Sequence, residues 1–161
     1  MSILKFESST PRNLQEMYSY MIDSEKTAPQ WVFGIGVNPM NAVQEMIFVQ
    51  HIRGYYNLVH EYKQVIFCFD VGVQIEESLI KEICWRIGEV LSFGDKRQII
   101  GAIHGIGTDK IHCHYMINYV GIEGALLRQK YSVIHYKNKV NKILHEYGLT
   151  PIYYYYGSEY K

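Results

Sequence analysis

His112-Cys113-His114 sets two imidazoles one residue apart, and His104 stands upstream at the end of the apolar run Gln98–His104. Side chains on a β-strand alternate faces, so His112, His114, Met116 and Asn118 share one side, while Cys113, Tyr115, Ile117 and Tyr119 take the other. Two neutral imidazoles on one face suit a single metal ion. If Gly105–Lys110 folds back as a hairpin link, His104 joins them from the adjacent antiparallel strand. Three nitrogen ligands then converge and leave positions open for a substrate oxygen. An HxH alone is weak evidence, because strand histidines are usually half-buried polar residues; the third histidine across a hairpin is what strengthens it.

The elements that must carry this cluster follow from patterning. Thr10 reads as an N-cap with Pro11 at the first helical position, and Leu14, Met17, Tyr18, Met21 and Ile22 then form a core-facing stripe. Tyr18 is accounted for by packing, whereas Tyr20 lies about 200° round the same helix and is not. Trp31–Val37 reads as a strand or extended loop, and Asn38-Pro39 opens a second helix that ends near Gly54. Gln64–Val71 is a nearly continuous apolar run, a buried strand. Ile75–Phe93 is the strongest helical pattern, and a last helix runs from Val133 to Gly148, with an edge strand or tail over Pro151–Tyr156. Strands separated by helices around a central antiparallel pair predict an α+β fold, one sheet with helices packed on a face. The expectation is a single domain over residues 1–161.

Composition narrows the function classes. Apolar residues at 48% and charged residues at 20% place the chain among folded globular proteins. No stretch has the apolar length of a membrane span and the N-terminus lacks a signal-peptide layout, so a cytoplasmic protein with no membrane partner is expected. Cys68, Cys84 and Cys113, odd in number and widely spaced, predict reduced core thiols. Lys plus Arg and Asp plus Glu both number 16, so overall charge does not argue for nucleic acid. From residue 124 onward, however, Arg128, Lys130, Lys137, Lys139, Lys142 and Lys161 face only Glu146 and Glu159, either a solvated helix face or a DNA path. The 15 tyrosines are mild support for base stacking, which suits single strands.

Four stretches in order resemble one family. They are Tyr20-Met21-Ile22-Asp23-Ser24-Glu25-Lys26-Thr27; Gly36-Val37-Asn38-Pro39 with Ala42, Glu45 and Met46; Val65–Asp70; and Ile103-His104 through Thr108-Asp109-Lys110-Ile111-His112-Cys113-His114 to Asn118. Together they are similar to the relaxases or mobilisation nucleases, the HUH-type tyrosine endonucleases of plasmids and integrative conjugative elements. The resemblance implies a sheet carrying the histidines at its centre, a divalent metal on His104, His112 and His114, and Tyr20 as nucleophile. It implies nicking of single-stranded DNA at a transfer origin through a 5′-phosphotyrosyl intermediate, with relaxosome accessory proteins as further partners. Manganese or magnesium is the expected ion, although nitrogen ligands also suit other divalent metals. Lys26 and Thr27 could meet a phosphate, the alternative for a loop lysine being simple solvation, and Asn118 could orient a histidine or contact the substrate, or equally cap the strand end. The family commonly has an acidic residue two places after the first histidine; here that place is Ile106, and Asp109 is the candidate for the acidic role in a link one residue longer than usual. Cys68 stands where the family often has serine. Two other outcomes stay open: a replication-initiator or single-strand transposase type, whose tyrosine would be Tyr131 or Tyr136, and a catalytically weakened DNA-binding relative.

Overall fold

The apolar runs assemble into a five-stranded, wholly antiparallel sheet in the order β1-β3-β5-β4-β2. Its strands are β1 (Ile3–Phe6), β2 (Val32–Ile35), β3 (Tyr62–Cys68), β4 (Ile99–His104) and β5 (His112–Asn118). The computed structural model describes residues 1–7, 13–92, 96–127 and 133–153. β5 is the central strand, which explains why its inward residues are almost all buried. The hairpin register sets His104 opposite His112 and Ala102 opposite His114, as the alternation argument requires. β1 had no clear signature in the sequence; it gains its structure by pairing with β3, Leu4 against Phe67.

Helices cover both faces rather than one. On one face α1 (Leu14–Met21) and α2 (Ala42–Ile52) pack Leu14, Met17, Met21, Val43 and Met46 against Ile100, Ala102 and Met116. On the other, α3 (Glu77–Leu91) and α4 (Val133–Glu146) pack Ile80, Ile83, Ile87, Val140 and Leu144 against Val65, Phe67, Cys113, Tyr115 and Ile117. At eight residues α1 is too short to be stable alone. Leu14, Met17 and Met21, each at most 1% exposed, hold it down, and burying a side chain of this size contributes about 1.5–3 kcal/mol. Its start differs from the reading above: Asn13 is the N-cap, accepting from the Glu16 amide at 2.8 Å, and Thr10 and Pro11 lie outside the described residues.

Within Trp31–Val37, Val32–Ile35 forms the edge strand β2, and Trp31 ends a 3-10 turn, Pro29–Trp31. The Asn38 side chain caps a short 3-10 turn, Pro39–Asn41, that leads into α2. The basic residues Lys137, Lys139 and Lys142 sit on α4, in the layer on the other face of the sheet from the histidines, while Arg128, Lys130 and Lys161 lie outside the described residues. Ile152 bridges Ser2, while Tyr154, Tyr155 and Tyr156 lie outside the described residues. All three cysteines are free thiols, Cys84 and Cys113 fully buried. Among the described residues, no helix is long and apolar enough to cross a membrane.

Candidate metal and nucleophile site

α1 and α2 pack on Ala102 and Met116 of the histidine face, and the imidazoles follow towards the strand ends, with the C-terminal end of α1 against them. One ligand atom from each of His104, His112 and His114 lies within 4.8 Å of the others. The ring centroids are 4.5 to 5.4 Å apart. An all-imidazole set of this spacing has the donor chemistry of a transition-metal site.

Two of the rings are oriented by backbone carbonyls. His104 donates from Nε2 to the Met21 carbonyl at 2.8 Å, which leaves its lone pair on Nδ1. His112 donates from Nδ1 to the Lys110 carbonyl at 3.0 Å, which leaves its lone pair on Nε2. The third ring, His114, has the Gln64 amide 3.2 Å from Nδ1. Burial holds the His104 pKa below the ordinary histidine value; the Met21 bond opposes this, His112 and Lys26 add to the lowering, and Asp23 opposes it. His104 is therefore neutral, the ligating form, over a wider pH range than a free imidazole.

Tyr20 reaches the same place from the last turn of α1. Its ring stands edge-on to His114 at 5.5 Å and to His104 at 6.1 Å. Lys26 Nζ lies 3.8 Å over the Tyr20 ring, within cation–π range. Tyr18, by contrast, donates its hydroxyl to the Pro39 carbonyl at 2.6 Å, and burial raises its pKa. A cleft of about 610 Å³ opens over the site, lined by Tyr20, Lys26, Thr27, His104, Ile106 and His112 among others.

The remaining expectations divide. Thr27 lines the cleft, but its hydroxyl donates to the Ile103 carbonyl at 2.7 Å, so it straps the loop to β4. Asn118 shares the histidine face and is fully buried, bonded to Gln50, Gln98, the Met46 carbonyl and the Val120 amide. That network, far along β5 from the rings, uses the amide structurally and keeps it from substrate. Asp109 is exposed in the β4–β5 link, its carbonyl accepting from the Gly72 amide, and is not among the cleft-lining residues. The carboxylate that does act on His104 is Asp23, whose Oδ1 accepts from the Glu25 amide and whose carbonyl accepts from Lys26 and Thr27. Its signal was the turn-forming Asp just past a helix end. Gln64 had no signal beyond its strand position, because the contact depends on cross-strand register. Tyr136 is 2% exposed in the opposite layer, packed on Phe6, and cannot reach the histidines; Tyr131 lies outside the described residues.

An antiparallel sheet that clusters three imidazoles beside a cleft, in an α+β frame, is the arrangement of a relaxase-like nuclease. A family model described as the MobA/VirD2-like relaxase nuclease domain matches residues 15–149, and the chain belongs to this relaxase family. A DNA-nicking function of the relaxase type follows at that level. Comparison with curated proteins returns no match.

Proposed function

We propose that residues 1–161 form one nuclease unit that nicks single-stranded DNA at a transfer origin of a plasmid or conjugative element, with Tyr20 as nucleophile. The observation that supports this most directly is Tyr20 standing edge-on to two of three clustered histidines. In the reaction, Tyr20 Oη bonds to phosphorus as the P–O3′ bond breaks in line. The phenolic proton passes to solvent, and O3′ leaves with its electron pair and takes a proton from solvent to become a free 3′ hydroxyl. The 5′ side stays on the enzyme as a phosphotyrosyl ester. That ester keeps the bond energy, so a 3′ hydroxyl can later attack it and reseal the strand.

His104, His112 and His114 are the residues that would hold a divalent ion, manganese or magnesium, with nitrogen donors favouring manganese. Such an ion supplies Lewis-acid charge to offset the charge building on nonbridging phosphate oxygens. Lys26, over the tyrosine ring at the cleft wall, adds a second positive charge on the phosphate path. Thr27 contributes by holding that loop. Relaxosome accessory proteins would supply the origin specificity that these residues do not encode.

The test uses the full chain with Mn²⁺ and a randomised single-stranded DNA pool, followed by denaturing electrophoresis and peptide mapping of any protein–DNA adduct. The expected result is a metal-dependent adduct on the peptide containing Tyr20. Calorimetry showing no Mn²⁺ binding, together with oligonucleotide binding and no adduct, would mean a DNA-binding relative instead.

A further inference from the structure

We propose that His104 has two partners at once: it offers Nδ1 to the shared ion, and with Nε2–H it closes the C-terminal end of the helix carrying the nucleophile. The inference rests on the metal reading above and adds a mechanical link between metal and tyrosine. The last carbonyls of an α-helix have no partner within the helix. In α1 the Ile22 amide takes the Tyr18 carbonyl at 3.1 Å, and no basic residue stands in the last turn. The Met21 carbonyl, one residue past Tyr20, is met by His104 Nε2 from 83 positions away, by a ring only 3% exposed. A second tie lies beside it, because Thr27 Oγ1 donates to the Ile103 carbonyl at 2.7 Å. The segment from Tyr20 to Thr27 is thus bracketed by bonds to two consecutive residues of β4.

A neutral imidazole carries one N–H and one lone pair. With the proton on Nε2, the helix end is capped and Nδ1 is the ligand. With the proton on Nδ1, both the cap and the ligand are lost. One tautomer therefore serves metal and helix together, so an ion on Nδ1 tightens the placement of Tyr20. By linkage, a well-docked helix end strengthens ion binding by the same factor.

Hydrogen exchange read by mass spectrometry on the metal-free full chain tests the cap. In His104→Gln the side-chain amide retains an N–H donor for the Met21 carbonyl but offers no imidazole; His104→Ala offers neither. The peptide covering residues 20–27 is expected to stay within about twofold of wild-type exchange in His104→Gln, and to exchange about tenfold faster in His104→Ala. Both variants are expected to lose Mn²⁺ affinity by about tenfold or more in calorimetry. Equal exchange in the two variants, with circular dichroism showing both folded, overturns the cap. Should His104→Ala fail to fold, Thr27→Val decides the coupling: it cuts the second tie without touching a ligand and is expected to weaken Mn²⁺ binding by about threefold or more. Unchanged Mn²⁺ affinity in that variant overturns the link. Wild-type protein that binds no Mn²⁺ at all removes the metal reading and the coupling with it, whereas the metal-free exchange comparison still decides the cap.

Discussion

Replacing Tyr18 and Tyr20 separately by phenylalanine pulls stability and chemistry apart on one helix. Tyr18→Phe removes the hydroxyl that donates to the Pro39 carbonyl at 2.6 Å in a partly buried setting. The net bond contributes about 0.5–1.5 kcal/mol, and stranding the acceptor brings the cost to about 1–2 kcal/mol. At about 2–4 °C per kcal/mol for a chain of this size, Tm should fall by about 2–8 °C. Adduct formation at a temperature where the protein stays folded should persist. Tyr20→Phe keeps the ring that stands against His104, His114 and Lys26 and removes only the attacking oxygen. The covalent adduct should drop to background in Tyr20→Phe at a temperature where the protein stays folded. Differential scanning calorimetry and denaturing gels on the same preparations read both quantities. An adduct that survives in Tyr20→Phe, or disappears in Tyr18→Phe without loss of Tm, refutes the assignment.

Gly105 follows His104 at φ 78°, and a Cβ there would collide with the Lys110 carbonyl oxygen, the backbone just before the HxH strand. Gly105→Ala should therefore cost about 1–2 kcal/mol for the left-handed backbone alone, and weaken Mn²⁺ binding in calorimetry by disturbing the hairpin. Because burial lowers the His104 pKa, the metal-free folded state binds fewer protons there than the unfolded chain. This contribution to stability is full above the ordinary histidine value of 6.5 and is lost as pH falls through the lower folded value; urea titrations across that window should show the slope, reduced in His104→Gln. Mn²⁺ at about 100 times its Kd should add about 2.7 kcal/mol of stability. A thermal scan should then show Tm raised by about 5–11 °C, and chelation should reverse the rise.

The strand alternation and the hairpin link made the histidine face legible, because period-2 geometry needs only local sequence. The separation of Tyr18 from Tyr20 was legible too, from the helical stripe of Leu14, Met17 and Met21. β1 was not, since four residues with no strong alternation gain strand structure only through pairing with β3. Nor was the second helical layer, because an apolar central strand reads the same whether one or both sides are covered. For Asn118 the sequence left a histidine-side role and a strand-end role open, because sharing a face says nothing about distance along the strand; α2 closes over that end with Gln50 and Met46. Asp109 is exposed in the β4–β5 link, and the acidic residue whose charge bears on His104, Asp23, stands in the loop after α1, a position set by how that helix docks on the sheet. Such contacts are set by tertiary docking.

The Gln64 contact leads to a last prediction. The groups orienting the three rings are the Met21 carbonyl, the Lys110 carbonyl and the Gln64 amide, all neutral. With its nitrogen toward His114 Nδ1, Gln64 donates, and the imidazole proton sits on Nε2. With the amide turned half round, its oxygen accepts from Nδ1–H, and the lone pair moves to Nε2. Gln64 thus permits either tautomer of His114, and only the orientation with the amide oxygen on Nδ1–H leaves a lone pair, on Nε2, for an ion. Gln64→Glu places an ionised acceptor at the same point, fixes the proton on Nδ1 and makes the ring a stronger donor at Nε2. Changing the group bonded to a ligating imidazole typically alters metal affinity by about 10–100-fold, so Mn²⁺ should bind about tenfold or more tightly in calorimetry. A carboxylate-backed imidazole also neutralises more of the ion's charge, so adduct formation at saturating Mn²⁺ should be slower than in wild type. Tighter binding with an unchanged saturated rate would show that ligand basicity does not limit the chemistry, and weaker binding would overturn ligation through Nε2.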